Sequence, residues 1–87
     1  MQFTPSNQRK LKSLAEQVYD KVRKDIISGV LNPGERIVEM DVAATMGTSQ
    51  GPVREALQQL EREGLIVRQA RSATYVAKTT VKEIYEL

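Results

Sequence analysis

The sequence has 87 residues, of which 40% are hydrophobic and 28% are charged, with a formal net charge of +2 at pH 7 and neither cysteine nor histidine. This is typical of one small globular domain, and it excludes disulfides, thiolate or imidazole metal sites and catalysis by those side chains; the scattered acids suggest no metal site, cofactor or enzyme. The sequence has no run of the ~18 apolar residues that span a membrane and no apolar signal-peptide region, so a cytoplasmic protein without membrane contact is expected.

The chain is expected to open with a flexible arm followed by a helix. Residues 1–9 are polar and contain Pro5, which indicates the arm. The helix is expected to begin between Lys10 and Ser13 and to run to Ser28, because apolar residues recur at helical spacing: Leu11, Leu14 or Ala15, Val18, Val22 and Ile26. Basic residues near its start are interpreted as solvated surface charge or, alternatively, as phosphate contacts: Arg9, Lys10 and Lys12.

The next segment predicts a turn, a short strand and a second helix. The turn at residues 32–34 has the sequence Asn-Pro-Gly, in which proline and glycine suit the two central positions. Residues 36–38 are long enough only for one edge strand. The second helix is expected from Glu39 to Met46 and to end at Gly47, with four candidates for its buried side: Met40, Val42, Ala43 and Met46.

The third helix has the clearest signals. Ser49 is a favoured N-cap residue, Pro52 suits the first turn, and Gly64 is a natural stop near residue 63. Apolar residues at helical spacing indicate the core-facing side: Val53, Ala56 or Leu57, and Leu60. Long polar side chains recur one turn apart beside that apolar face: Gln50, Arg54 and Gln58.

Together these elements predict a winged helix-turn-helix, mainly α with a small β wing in the order α-β-α-α-β-β. A short turn containing glycine joins the second and third helices, and in such a motif the third helix can enter a DNA major groove. Residues 65–68 and 74–77 have strand composition and predict the wing hairpin. Thr80 and Glu83 form a capping box, so the start of a further helix is expected. The predicted domain therefore covers residues 10–78, and residues 79–87 are a linker with the first turns of a truncated helical domain.

These stretches resemble the N-terminal DNA-binding domain of the GntR family of bacterial transcription regulators. The carrying segments are VYDKVRKDIISGVLNPGERIVEMDVAATMG, SQGPVREALQQLEREGLI and VKEIYEL. The form PGERIVE is similar to the FadR-like branch of the family. The resemblance implies a homodimer in the full-length protein, a palindromic double-stranded DNA operator, and a small-molecule effector bound by a C-terminal helical domain that this chain lacks.

The resemblance also implies a set of DNA-binding residues. Arg54 matches the arginine that the family uses on DNA, and Ser49 matches a residue that caps the recognition helix and approaches a phosphate. Gln50 stands where arginine is usual and Gly51 where threonine is usual, which predicts an operator different from that of most relatives, since glutamine suits adenine and arginine suits guanine. Further candidates lie along the helix and in the wing: Gln58, Arg68, Arg71 and Ser72.

Two other interpretations remain open. Arg54 has a purely structural alternative, which is a pair with Gln58, Glu55 or an acid of the second helix. For the whole domain, the alternative is a winged-helix protein-interaction module without specific DNA binding, favoured by the modest net charge and by the acidic pair Glu39 and Asp41.

Overall fold

The computed structural model describes residues 12–69 and 73–78, and within them it contains three helices packed against a small sheet. The elements are α1 (Leu14–Ser28), β1 (Arg36–Ile37), α2 (Glu39–Met46), α3 (Gln50–Arg62), β2 (Ile66–Arg68) and β3 (Thr74–Val76). This order confirms the predicted winged helix. Three predictions lie outside the described residues: the N-terminal arm, the wing tip with Arg71 and Ser72, and the further helix that begins near Thr80.

Helix α1 begins at a complete capping box. The backbone N–H of Glu16 donates to Ser13 Oγ at 3.0 Å, and the N–H of Ser13 donates to Glu16 Oε1 at 2.9 Å. This arrangement satisfies two amides that a helix start otherwise leaves without partners. The helix therefore begins at Leu14, one residue after the predicted range, and Lys12 lies outside it.

The three strands form an antiparallel sheet in the order β1-β3-β2. Ile37 pairs with Thr74, which in turn pairs with Arg68, and Arg36 pairs with Tyr75. The last strand of the described residues is therefore the central one. The first strand is one residue shorter than predicted, because Val38 already has the extended backbone of the N-cap of α2.

The core lies between α1, α3 and the inner face of the sheet. Its residues are almost fully buried: Val18, Val22, Ile26, Ile37, Ala43, Val53, Ala56, Leu57, Leu60, Leu65, Ile66 and Val76. One prediction is wrong, because Met40 is 64% exposed. Ala43 is the single fully buried residue of α2, so the contact face of this helix is narrower than its apolar pattern indicated. Val42 and Met46 pack at the margin of the core.

Candidate nucleic-acid interface

The turn between α2 and α3 is set by Gly47. Its φ of 67° lies in the left-handed region, which a residue without Cβ adopts at little cost. The N–H of Thr48 then donates to the carbonyl of Ala43 at 3.0 Å, which closes the end of α2. Thr48 Oγ1 is buried without a hydrogen-bond partner among the described residues. The two helices thereby take the helix-turn-helix arrangement that the sequence predicts.

Ser49 is the N-cap residue of α3, as predicted, but its hydroxyl makes no capping hydrogen bond. The backbone of Ser49 is extended, with φ −79° and ψ 174°. Amides at a helix start need partners outside the helix. The first turn of α3 therefore presents backbone donors that the cap side chain leaves available, and an anion is the ligand that such a helix end favours.

The predicted polar stripe lies on the accessible side of α3. Arg54 and Gln58 are exposed and Gln50 is half-buried, while Val53 and Leu57 on the neighbouring face are fully buried. The guanidinium of Arg54 donates to Glu39 Oε1 at 3.2 Å. This contact joins α3 to the first turn of α2. The structural alternative predicted for Arg54, a pair with an acid of the second helix, is therefore present.

The ion pair leaves Arg54 able to bind something else. Its side chain is 55% exposed and that of Glu39 is 24% exposed. Exposed pairs of this kind contribute about 0–1 kcal/mol to stability, and a guanidinium has five N–H donors. Glu39 therefore restrains the orientation of Arg54 and leaves most of its donors available.

No tertiary contact of Gly51 within the described residues requires a glycine. It is helical, its φ is not positive, and beyond its chain neighbours and the backbone of α3 a Cβ built on it would meet no atom within 4 Å. The residue that follows is Pro52, whose ring disfavours a Cβ on a helical residue directly before it, and glycine avoids this contact. The missing side chain also lowers the surface of α3 beside Gln50 and Arg54.

A groove of about 450 Å³ lies at the surface, beside α3 and the edge of the sheet. It is lined by residues 36–39, Arg54, Arg68, Ala73 and Thr74. We call it the α3–wing groove. Arg68 Nε donates to Glu61 Oε1 at 3.5 Å, which is a long and partly exposed contact. Arg36 also lines this groove, although the sequence analysis did not select it. Arg71 and Ser72, which the sequence predicts at the hairpin tip, lie outside the described residues.

The other end of α3 carries a polar network that connects it to α1. The hydroxyl of Tyr19 donates to Glu63 Oε1 at 2.6 Å, and the Gln59 amide donates to Glu63 Oε2 at 2.9 Å. The hydrogen bond from Tyr19, with that from Gln59, holds the pKa of Glu63 below its ordinary value, and the pKa of Tyr19 is raised chiefly by the same bond. Arg62 donates to Gln59 Oε1 at 2.6 Å.

Two kinds of feature are absent from the described part of the chain. No group of three or more acidic residues is arranged to hold a metal ion. None of the described helices is long and apolar enough to cross a membrane.

Comparison with known proteins identifies the class. Residues 14–76 match the model of the family described as bacterial regulatory proteins, gntR family. The chain is 37% identical over 71 residues to the HTH-type transcriptional regulator YdhC of Bacillus subtilis, which is itself uncharacterised. It is 38% identical over 74 residues to a probable D-xylose utilization operon transcriptional repressor of Paenarthrobacter nicotinovorans. These matches cover 82% and 85% of this chain but 32% and 33% of the relatives, so the chain spans about a third of their length.

A solved structure agrees with this assignment. The GntR family regulator from Pseudomonas syringae pv. tomato superposes with a TM-score of 0.69 at 34% identity, over 74% of this chain and 27% of that one. The chain belongs to the GntR family of bacterial regulatory proteins. Its matched region has the predicted winged helix-turn-helix fold.

Proposed function

We propose that this chain binds double-stranded DNA sequence-specifically, with α3 in the major groove and the β2–β3 hairpin on the backbone or minor groove. The observation that carries the proposal is the N-terminal half of α3. There the exposed Arg54 stands beside the open surface at Gly51, and the first-turn amides have no side-chain cap. The opposite face of the same helix is core, which makes it a rigid support for base recognition.

Each residue of the stripe has a distinct proposed role. Arg54 contacts a base edge or clamps a phosphate from an orientation restrained by Glu39. Gln50 reads a base, and its amide is suited to the paired donor and acceptor of adenine. Gly51, which has no side chain, lets the DNA approach the helix backbone closely. Ser49 and the backbone amides at the helix start bind a phosphate.

The remaining contacts lie farther along α3 and in the wing. Gln58 follows Arg54 by one turn and extends the same stripe. Arg68 reaches a phosphate from the wing side of the α3–wing groove, and its weak contact with Glu61 is easily replaced. Arg71 and Ser72, at the hairpin tip, are proposed to meet the backbone or the minor groove.

We extend this proposal to a longer protein, because the relatives are longer than this chain. Two copies act as a homodimer on a palindromic operator, in the cytoplasm, without a metal or cofactor in this chain. A C-terminal helical domain of the FadR-like type, beginning near residue 79, binds a small-molecule effector. These features follow from the resemblance of PGERIVE and VKEIYEL to that branch, and from the length of the relatives, of which this chain spans about a third.

One observation favours a second candidate function, a protein-interaction module. The carboxylate of Glu39 neutralises part of the charge of Arg54, and an acidic neighbour such as Asp41 would repel phosphate. Binding to random duplex DNA separates the two candidates. Phosphate contacts make affinity fall steeply with salt, whereas a protein-interaction module gives no salt-sensitive DNA binding.

The decisive experiment selects bound sites from a random duplex pool and then measures affinity for the selected site. Replacing Arg54 with alanine is expected to lower the specific binding free energy by about 1–3 kcal/mol if Arg54 reads a base. A matched control is Arg23→Ala, which removes the same charge on α1, near Tyr19 and Glu63 at the other end of α3. Unchanged specific affinity of Arg54→Ala at low and moderate salt would refute the role of Arg54.

A further inference from the structure

The α3–wing groove is lined by three arginines and one glutamate, so it carries net positive charge. The arginines come from three separate parts of the chain. Arg36 lies on β1, Arg54 on α3 and Arg68 on β2. β1 and β2 are the two outer strands on either side of β3. By the strand register, Arg68 lies on the sheet face of Ile37 and Thr74, whereas Arg36 lies at the outer edge of β1, and both residues line the groove.

The three arginines differ in how they are neutralised. Arg54 forms an ion pair with Glu39 at 3.2 Å, and Arg68 contacts Glu61 at 3.5 Å. Arg36 is exposed and forms no ion pair with a carboxylate of residues 12–69 or 73–78. Within the described residues it is therefore the one of the three that has no direct contact with a carboxylate.

We propose that Arg36 holds a phosphate of the DNA backbone where that backbone passes along the α3–wing groove. The inference rests on the proposed DNA binding and adds a contact from β1, for which the sequence predicted only an edge strand. A phosphate is the appropriate ligand because the groove presents guanidinium groups to a passing anion, while base edges are read by the helix that enters the major groove.

The surroundings of Arg36 also limit how strong this contact is. On its other side, Arg36 lines the concavity between α1 and α2, where Asp25, Glu35 and Asp41 outnumber Lys21. These carboxylates lower the local electrostatic potential and so weaken the attraction of the Arg36 guanidinium for anions. Arg36 therefore contributes one weak phosphate contact among the several that the domain makes with DNA. It does not form a high-affinity anion site by itself.

The test measures how the DNA affinity of the chain depends on salt. Neutralising Arg36 with Arg36→Gln removes one phosphate contact, so the slope of log affinity against log salt becomes less negative by about 0.9. Equivalently, the ratio of wild-type to variant affinity falls about 3.5-fold between roughly 50 and 200 mM salt. The loss is expected to be equal on the selected duplex and on a random duplex, because phosphates carry no sequence information.

Two further variants make the result specific. Arg36→Lys keeps the charge and is expected to retain the wild-type slope. Arg23→Gln removes the same charge away from the groove and is also expected to retain it. Thermal unfolding followed by circular dichroism checks that each variant is folded, which the exposure of Arg36 leads us to expect.

The outcomes are distinguishable. A wild-type slope for Arg36→Gln overturns the contact, and so does a loss confined to the selected duplex, which would make Arg36 a base reader. An equal change of slope in Arg23→Gln also overturns it, because the effect would then be general charge. If the wild-type chain shows no salt-sensitive binding to any duplex, the proposed DNA binding fails together with this contact.

Discussion

The two ends of α3 differ in how their polar groups are satisfied. At the C-terminal end, Gln59, Arg62 and Glu63 bond to one another and to Tyr19 of α1. At the N-terminal end, the Ser49 hydroxyl makes no capping bond and Arg54 has one exposed ion-pair partner. A single helix thus carries a closed, structural end and an open end whose hydrogen-bonding capacity suits a ligand. The position of a polar residue along α3 therefore predicts whether its loss affects stability or binding.

The largest expected effect is on the free energy of unfolding, through the buried face of α3. Leu60 is fully buried, so Leu60→Ala leaves a cavity and is expected to lower the free energy of unfolding by about 2–5 kcal/mol. Urea denaturation measures it. Leu14→Ala is the matched control, because Leu14 is 53% exposed and its truncation leaves no cavity. Equal losses in the two variants would contradict the assignment of the core.

The open end gives an effect on binding with little effect on stability. Beyond its chain neighbours and the backbone of α3, a Cβ at Gly51 meets no atom within 4 Å. The gain in helix propensity from Gly51→Ala is offset by the contact of that Cβ with the ring of Pro52, so the free energy of unfolding is expected to change by less than about 1 kcal/mol. The added methyl group is expected to weaken operator affinity by roughly tenfold, equivalent to about 1.4 kcal/mol. Thermal unfolding and DNA titration on one preparation measure both. An alanine variant that binds as tightly as the wild type would show that DNA does not approach this position closely.

The turn between the two helices gives a smaller stabilising change. Thr48 Oγ1 is buried without a partner in the described part of the chain. Thr48→Val keeps the shape and removes the unsatisfied hydroxyl, so it is expected to raise the free energy of unfolding by about 1 kcal/mol. Thr45→Val, on the exposed surface of α2, serves as the control and is expected to change little. A destabilised Thr48→Val would mean that the hydroxyl bonds to water in solution.

The smallest effect concerns the closed end and depends on pH. Tyr19→Phe removes an exposed hydrogen bond to Glu63 and is expected to cost at most about 1 kcal/mol near neutral pH. Because the folded-state pKa of Glu63 lies below its ordinary 4.5, this stabilisation is present above that pH and is lost as pH falls through the folded-state pKa.

On the alkaline side, the pKa of Tyr19 is raised above 10.0 in the fold. The stabilisation is therefore present below that pH and is lost as pH rises through the folded-state pKa. Urea titrations of wild type and Tyr19→Phe at acidic, neutral and alkaline pH measure the difference, which is expected to be largest in the middle. A difference that is constant with pH would rule out the ionised Glu63 as the partner.

The sequence predicted the elements well because their signals are local. Val18, Val22 and Ile26 recur at helical spacing, and Gly47 marks the turn at which α2 ends. The burial of Met40 was mispredicted because burial depends on which surface a helix finds, and α2 contacts its partner through a narrow face around Ala43.

The candidate site was predictable only in part. The stripe on α3 follows from helical spacing, but the partner of Arg54 lies 15 residues earlier in the chain. The place of Arg36 in the groove depends on which wing strand pairs with β1 and in which register, and no local pattern encodes either. The open surface at Gly51 and the uncapped Ser49 likewise became apparent only from the three-dimensional arrangement.

The central position of β3 has a consequence for biosynthesis. This strand is the last described element of the sheet, yet both β1 and β2 bond to it and neither bonds to the other. While the ribosome is still making residues before Thr74, β1 has no strand to pair with and one face of the core stays uncovered. Domains fold as units during synthesis. We therefore expect this one to fold only after Val76 has left the exit tunnel, when β3 can pair with β1 and β2.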